Sequence, residues 1–206
     1  MSTPPADDFQ AKKAAIREQA RKNRIGQKNK DEVSWQIINR FMAMPEYKAA
    51  STVMWYVDAG SEVRTRHILP EILGEGKRIV VPYCIVETNQ LELFVLEDMA
   101  ELGEGAHKIL EPRDDVRTFP GKIVQPEDLD LVMVPGTAFD PNGGRMGQGK
   151  GYYDRLLSRV RPEVLLVAMA FECQMFPEIP VAAHDVFMDL VISEKQVYAG
   201  RGRKKS

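Results

Sequence analysis

Apolar residues occur in short runs separated by polar stretches, and this pattern predicts strands alternating with helices. Six apolar runs are predicted to be strands, and they lie at 52–57, 78–81, 91–96, 129–134, 164–171 and 189–193. Several are apolar throughout, as is typical of parallel strands covered on both faces. Helical patterns at 63–73 and 151–161 lie between them and indicate βαβ units. We therefore expect an α/β fold whose mostly parallel sheet carries helices on both faces.

The amino-terminal part predicts two helices before the first strand. Residues 9–24 are rich in alanine and lysine and contain no helix breaker, so they predict a basic helix. Asp31 is expected to cap a second helix that runs to residue 44, with an apolar stripe formed by Val33, Ile37, Ile38 and Phe41. No repeat or linker divides the sequence, so we expect a single domain at 9–199 with flexible termini at 1–8 and 200–206.

The segment between the predicted strand at 129–134 and the predicted helix at 151–161 carries the most chemical information. It contains five glycines, namely Gly143, Gly144, Gly147, Gly149 and Gly151. A strand, a glycine-rich loop and a helix in this order direct backbone N–H groups towards an anion. Arg145 and Lys150 add two positive charges to the same loop. Two full charges suit a polyphosphate better than a single carboxylate.

Two common nucleotide-binding patterns do not fit this loop. The spacing from Gly144 to Lys150 matches a P-loop, but Gly151 stands where that loop needs Ser or Thr for its magnesium. The glycines at 147, 149 and 151 have the wrong spacing for a dinucleotide fingerprint. A mobile surface turn with solvated charges stays open as an alternative. It is disfavoured because five glycines beside two cations are costly in chain entropy.

Composition and charge narrow the class of protein. The chain has 206 residues, 44% of them apolar, which supports a hydrophobic core. With 28 basic and 30 acidic residues the net charge is −2, so no nucleic-acid partner is expected. Cys84 and Cys173 form no metal pattern and are expected to be buried, reduced thiols in the cytoplasm. A polar start and an apolar run of only 164–171 predict neither a signal peptide nor a membrane span.

Several polar residues have both a structural and a functional interpretation. Asp154 could complement the helix dipole or bind magnesium beside the phosphates, and the neighbouring cations favour magnesium. Glu62 alone indicates a carboxylate at a helix start, and Asp185 a turn. Lys13 and Arg17, four residues apart, are typical of a solvated basic stripe. The histidines lack zinc-ligand spacing, and no serine lies in a nucleophile elbow.

The longest motif resembles a known family. Pro135-Gly-Thr-Ala-Phe-Asp140 followed by Gly144-Arg-Met-Gly-Gln-Gly-Lys-Gly-Tyr-Tyr-Asp154 is similar to the signature of the 5-formyltetrahydrofolate cyclo-ligases, also called methenyltetrahydrofolate synthetases. The resemblance extends over about residues 12–193. Its shorter elements are Lys13-Ala-Ala-Ile-Arg17, Glu62-Val-Arg-Thr65, Ile109-Leu-Glu-Pro112 and Pro180-Val-Ala-Ala-His184-Asp185. Arg64 departs from the family pattern, which usually has an acid there. The departure implies either altered contacts to the glutamate tail of folate or surface variation.

The resemblance implies an ATP-dependent ligase that needs Mg²⁺ and cyclises 5-formyltetrahydrofolate to 5,10-methenyltetrahydrofolate, releasing ADP and phosphate. It implies catalytic roles for Arg145 and Lys150, and Mg²⁺ binding by Asp154 and Asp185. ATP would be bound by Lys13, Arg17, Gly144, Arg145, Met146, Gly147, Gln148, Gly149, Lys150, Gly151, Tyr152 and Tyr153. The folate substrate would be bound by Val57, Glu62, Gln148, Gly149, Lys150, Gly151 and Tyr152.

Alternatives of other classes remain open at this stage. A relative could bind nucleotide together with folate or RNA in a regulatory role, without cyclisation. A general P-loop nucleotidase is a further possibility, disfavoured by Gly151. The presence of both Glu62 on the folate side and Lys150 on the phosphate side favours the enzyme. We expect small-molecule partners, no membrane, no nucleic acid and a cytoplasmic location. The basic cluster at 201–205 is expected to be a solvated terminus.

Overall fold

The computed structural model describes residues 6–105, 109–182 and 185–203, which are arranged around a central sheet. The strands, in chain order, are β1 (Thr52–Met54), β2 (Arg78–Ile85), β3 (Gln90–Val95), β4 (Leu102–Glu104), β5 (Leu110–Pro112), β6 (Ile123–Val124), β7 (Leu131–Val134), β8 (Ala138–Phe139), β9 (Arg145–Met146), β10 (Leu165–Met169), β11 (Leu190–Ile192) and β12 (Val197–Ala199). The α-helices are α1 (Ala6–Gly26), α2 (Lys30–Ala43), α3 (Pro45–Ala49), α4 (Leu69–Ile72), α5 (Asp114–Arg117) and α6 (Tyr152–Leu157).

The middle of the sheet is parallel. Its eight described strands have the order β12-β11-β10-β7-β1-β2-β3-β6. The five strands from β11 to β2 run parallel to one another. Strands β12, β3 and β6 are added at the edges in antiparallel fashion. Every residue of β1 and β7 is buried, because helices cover both faces. The predicted mostly parallel α/β sheet is therefore confirmed.

The two faces of the sheet carry separate cores, as the alternation of side chains along a strand requires. Leu131 and Met133 of β7 belong to the core under α2 and α3, where the rings of Phe41, Tyr47 and Trp55 pack within 5.1–6.0 Å of one another. Val132 and Val134 belong to the opposite core, which is covered by α6. Both faces are closed by apolar burial, which contributes about 1.5–3 kcal/mol for each fully buried large side chain.

Helix boundaries differ from the predicted ones for local reasons. Asn29, with φ 51° and ψ 42°, precedes α2, so Asp31 lies in the first turn and is not the cap. The predicted helix at 63–73 is reduced to α4, which begins beside Pro70, a residue suited to the first turn of a helix. Helix α6 has six residues instead of the eleven predicted. The predicted apolar stripe of α2 is confirmed, because Ile37, Ile38 and Phe41 are buried.

Other expectations need correction. Cys84 and Cys173 are free thiols as predicted, but both are only partly buried. Residues 6–8 are part of α1, and residues 200–203 are hydrogen-bonded to the rest of the protein, so neither stretch is the flexible terminus that was predicted. Residues 1–5 and 204–206 of the predicted flexible termini lie outside the described residues. Within the described ranges, no helix is both long and apolar enough to span a membrane.

Candidate functional site

A cavity of about 460 Å³ lies at the carboxyl ends of the central parallel strands. This is the edge at which open α/β sheets bind ligands. Tyr56 and Val57 follow β1, and residues 135–137 follow β7. Helix α1 and the loop 147–151 form further walls, and β2, β3 and β5 complete the lining.

Two cations of α1 line the cavity. The Nζ atom of Lys13 lies 2.7 Å from Oδ2 of Asp185, and both side chains are nearly buried. The Nε atom of Arg17 donates to the carbonyl oxygen of Gly147 at 3.1 Å. Their spacing of one helical turn places both on the face of α1 that meets the cavity. The interpretation as a solvated basic stripe is therefore wrong, whereas the implied role of both residues in binding ATP stays a prediction.

Arg145 is the most buried cation of the cavity, with 5% of its surface exposed. It lies on β9 and its Nη2 donates to Oδ1 of Asp154 at 2.9 Å. Its guanidinium lies 5.6 Å from the ring centre of Tyr153. A carboxylate and an aromatic face thus fix its orientation. The short antiparallel pair of β8 and β9, inside the segment predicted to be a loop, is what places Arg145.

The loop 147–151 is the accessible wall of the cavity. Gly149 and Gly151 have φ of 98° and 71°, conformations that glycine adopts at no steric cost. Gln148 and Lys150 are exposed and line the cavity. Arg155 donates to the carbonyl oxygens of Lys150 and Asn89, which ties the loop to the turn between β2 and β3. The loop therefore lines the cavity with an exposed cation, and its role in binding an anion stays a prediction.

Gly144 has a different surrounding. Its N–H donates to Oδ1 of Asp140 at 2.9 Å, and a Cβ atom at this position would overlap the same carboxylate. Asp140 is itself buried and also accepts from the N–H of Asn142 and of Ile179. Gly144 therefore packs behind the cavity wall, and its implied contact with ATP has no support in the geometry.

The two carboxylates implied as magnesium ligands come together at the cavity. The N–H of Val186 lies 3.4 Å from Oδ1 of Asp154, so the segment with Asp185 packs against α6. Asp185 Oδ2 also accepts from the N–H of Ala182 at 2.7 Å. His184 lies outside the described residues. No group of three or more His, Cys, Asp or Glu residues in the described ranges could hold a metal. Two carboxylates are nevertheless a donor set that Mg²⁺ accepts, because it keeps several waters.

Glu62 lines the same cavity, as does Val57. It lies in the bend after β1 and not at a helix start, so that interpretation was wrong. The carboxylate is 14% exposed and its Oε2 accepts from the N–H of Ala59 at 3.0 Å. Burial raises the pKa of this carboxyl, and the nearby guanidinium of Arg24 opposes the rise. Glu62 is therefore a positioned acceptor beside an open cavity.

Sequence reasoning named no role for several lining residues. Glu111 is 3% exposed, and its Oε1 accepts from the N–H of Cys84 at 3.3 Å. Burial and this carboxylate raise the pKa of the Cys84 thiol to about 12, so the thiol stays protonated. Pro82 and Leu91 form an apolar wall beside them. The Ile109-Leu-Glu-Pro112 element could have pointed to Glu111, whereas no local signal marks the wall of the β2–β3 hairpin.

Arg64, which departs from the family pattern, lies elsewhere. Its Nη1 atom donates to Asp31 on α2, and its N–H donates to the hydroxyl of Ser34 at 3.0 Å. The residue lines a separate surface depression with Trp35 and His67, not the large cavity. Of its two interpretations, the geometry favours surface variation.

The comparisons with known proteins agree with one another. The model of the 5-formyltetrahydrofolate cyclo-ligase family matches residues 9–194. The 5-formyltetrahydrofolate cyclo-ligase of Mus musculus is 32% identical over 168 residues, covering 77% of this chain and 80% of the relative. The Escherichia coli K12 protein with that description is 28% identical and covers 86% and 97%.

Solved structures give the same result. The NMR structure of Aquifex aeolicus 5,10-methenyltetrahydrofolate synthetase has a TM-score of 0.78 at 35% identity, covering 94% of this chain and 95% of that one. The Mycoplasma pneumoniae 5,10-methenyltetrahydrofolate synthetase, at 20% identity, shares the fold with a TM-score of 0.69 and covers 88% and 98%. Because the family match spans nearly the whole chain and the fold agrees, the chain belongs to the 5-formyltetrahydrofolate cyclo-ligase family of enzymes.

Proposed function

We propose that the protein uses ATP and Mg²⁺ to cyclise 5-formyltetrahydrofolate to 5,10-methenyltetrahydrofolate, with release of ADP and phosphate. One observation carries the proposal. A single cavity is lined both by cations, namely Lys13, Arg145 and Lys150, and by a buried carboxylate, Glu62. The first suits a triphosphate and the second suits the N–H groups of a pterin. A nucleotidase that ignores folate would need only the first.

The chemistry explains why ATP is required. The formamide carbon of the substrate is a poor electrophile, and its oxygen is a poor leaving group. In the proposed reaction that oxygen attacks the γ-phosphorus of ATP, the bond to ADP breaks, and an imidate-like phosphate forms, with the phosphoryl group on the formyl oxygen. N10 then attacks the formyl carbon and loses its proton, and the C–O bond breaks to release phosphate. Both nitrogens belong to one molecule, so ring closure benefits from a high effective concentration.

The cations of the cavity would stabilise the transferring phosphoryl group. Charge develops on its oxygens in the transition state, and fixed cations stabilise it without reorganisation. Asp154 and Tyr153 hold Arg145 in place, and Asp185 holds Lys13. Lys150 and the N–H groups of the loop 147–151 would face the phosphates from the accessible wall. The contribution of the protein is thus orientation and charge.

The donor set fits the implied metal. Asp154 and Asp185 would hold Mg²⁺ directly or through its waters, because both line the cavity and their segments pack together. When bound, the ion supplies charge neutralisation to the phosphate oxygens. The same two carboxylates already orient Arg145 and Lys13, so each has a second role in the protein alone.

At the folate end, the ionised Glu62 would accept two N–H groups of the pterin. The apolar residues Pro82, Leu91 and Leu110 would contact the aromatic part of the substrate. Val57 and Tyr152 also line the cavity. A cytoplasmic location and the absence of nucleic-acid partners stay predictions.

The decisive test is an absorbance assay with purified protein, Mg-ATP and 5-formyltetrahydrofolate. We expect the near-ultraviolet band of the methenyl product to develop, together with one ADP for each product molecule. Omission of ATP is the first control and excess chelator the second, and both should abolish the signal. Calorimetric titration with the reduced folate accompanies the assay. Folate binding without product at any pH would favour the regulatory relative, and ATP hydrolysis without folate binding would indicate a nucleotidase.

A further inference from the structure

Arg24 is a buried cation on α1 that has no assigned role. It is 7% exposed, and it contacts Gly136 and Glu62, which line the cavity. Nε donates to the hydroxyl of Ser61 at 2.9 Å, and Nη1 donates to the carbonyl oxygen of Gly136 at 3.2 Å. Nη1 also lies 3.7 Å from Oε1 of Glu62. A buried guanidinium is stable only when paired, and here its charged partner is Glu62.

The surroundings of Glu62 make this partner important. Oε2 is held by the N–H of Ala59, whereas the rest of the carboxylate is nearly enclosed. Burial raises the pKa of Glu62 and the charge of Asp58 adds to the rise, while Arg24 and the Ala59 N–H lower it. The phenols of Tyr56 and Tyr153 also face it, and burial raises the pKa of both, so they are neutral near neutral pH. Arg24 is therefore the cation that counters burial.

Ionisation of Glu62 decides what it can bind. A carboxylate offers only acceptors, so two adjacent N–H groups can pair with its two oxygens. A protonated carboxyl turns one oxygen into a donor, which would face a pterin N–H instead of accepting from it. Recognition of the substrate then fails at the same geometry. The cation that maintains the charge of Glu62 thus controls the substrate site without lining it.

We propose that Arg24 is a positioning residue for the folate site, which keeps the Glu62 carboxylate ionised and aligned through its contacts with Glu62, Ser61 and Gly136. The inference rests on the proposed function, in which Glu62 receives the pterin. It also assigns two ends of one helix to the two substrates. Lys13 and Arg17 of α1 serve the nucleotide end, and Arg24 serves the folate end through Glu62.

The test compares Arg24→Met with Arg21→Met, a matched change at an exposed arginine of the same helix. We expect Arg24→Met to raise the KM for 5-formyltetrahydrofolate roughly tenfold to a hundredfold, which is the size of effect expected when a hydrogen bond between the pterin and the charged Glu62 is lost. The KM for ATP should stay within about twofold of wild type, and kcat should change little, because the lost interaction acts on binding. Arg21→Met should leave all three constants unchanged.

The pH profile separates positioning from a structural defect. Without the cation the pKa of Glu62 rises further, so the carboxyl is protonated at a higher pH than in wild type. The acidic limb of kcat/KM for the folate should therefore move to higher pH in Arg24→Met. Arg24→Lys keeps the charge, so its limb should lie near that of wild type with part of the KM recovered. A merely structural role would leave the limb in place.

A double-mutant cycle completes the test. In a Glu62→Gln background there is no carboxylate to keep ionised, so Arg24→Met should cost folate binding little more. If Arg24→Met does not fold, Ser61→Ala replaces it, because this change removes only the acceptor of Nε. We expect Ser61→Ala to raise the folate KM and to move the acidic limb of kcat/KM to higher pH, both by less than Arg24→Met. The inference is overturned if Arg24→Met has the same folate KM and the same acidic limb as Arg21→Met. If only Ser61→Ala can be measured, values equal to those of wild type overturn it. An inactive wild type that binds no folate would instead overturn the proposed function.

Discussion

At the scale of single residues, the cavity is organised by pairs of opposite charge. Lys13 pairs with Asp185, Arg145 with Asp154, and Arg24 with Glu62. Each pair is largely buried, where a lone charge would be costly. Each member therefore holds its partner in one orientation before any substrate arrives, which is the preorganisation that charge stabilisation requires.

Lys150 lies on the exposed loop, between two glycines of positive φ. If it faces the transferring phosphoryl group, Lys150→Ala should lower kcat by a factor of roughly 10²–10³, the usual cost of one charge-stabilising donor. Lys22→Ala, an exposed lysine of α1, is the matched control and should be silent. Steady-state rates and ATP affinity measure the effect. Unchanged turnover and ATP affinity in Lys150→Ala would remove this residue from the active site.

At the scale of elements, the carboxyl-terminal segment holds the turn between α6 and β10. Arg203 donates from Nη1 to the carbonyl oxygen of Val160 at 2.6 Å, and from Nη2 to those of Arg161, at 2.9 Å, and Val164. Carbonyls that follow a helix have no partner within it, so a guanidinium satisfies several at once. The same segment packs on residue 143, since the Cα atom of Gly200 lies 3.0 Å from the place of a Gly143 Cβ.

Arg203→Met should therefore destabilise the fold without touching the cavity. We expect a loss of about 2 kcal/mol in the free energy of unfolding, because buried carbonyls lose their donors. For a chain of this size that corresponds to a fall in Tm of roughly 4–8 °C. Arg201→Met is the control, because that arginine is exposed and its side chain only stacks near Phe187. Thermal and urea unfolding measure the stability of both variants. Equal stabilities would show that the hydrogen bonds of Arg203 do not stabilise the fold.

At the scale of the whole molecule, sequence pattern predicted the parallel strands better than the edges of the sheet. Runs such as 129–134 reveal burial on both faces, which is the property of a central strand. The run at 91–96 was predicted to be a strand and forms β3, but its antiparallel direction was not predicted, nor was strand β12. Both depend on which strand is met, and that information is not local. For the same reason the β8–β9 pair was taken for a loop, since two-residue strands have no period of their own.

The residues of the site also differ in how far the local sequence could predict them. The glycine loop could be predicted, because its residues are contiguous and its chemistry follows from glycines and cations. Glu111 and Arg24 could not be given roles from their surroundings, since their partners Cys84 and Glu62 lie far away in the chain. A buried arginine within an alanine- and lysine-rich helix looks like any exposed one until the packing of that helix is known.

The fold also brings together the two carboxylates implied for Mg²⁺, Asp154 on α6 and Asp185 on the segment before β11. Two carboxylates and a triphosphate repel one another without a cation, so metal and nucleotide should bind with positive coupling. Asp154→Asn and Asp185→Asn should each raise the Mg²⁺ concentration needed for half-maximal rate, by about tenfold. Their folate KM should change much less, because the pterin is proposed to bind Glu62 and not these two carboxylates.

A titration of the steady-state rate with Mg²⁺ distinguishes metal binding from the other contact that each carboxylate makes. If Asp154 and Asp185 bind the ion, excess Mg²⁺ should restore much of the lost rate in either variant. If they act only by orienting Arg145 and Lys13, the rate should stay low at every Mg²⁺ concentration, with the wild-type midpoint. Asp114→Asn, at a carboxylate that is 94% exposed, provides the control for a change of surface charge. A wild-type midpoint in both site variants would exclude these carboxylates as ligands and leave them as anchors of the two cations.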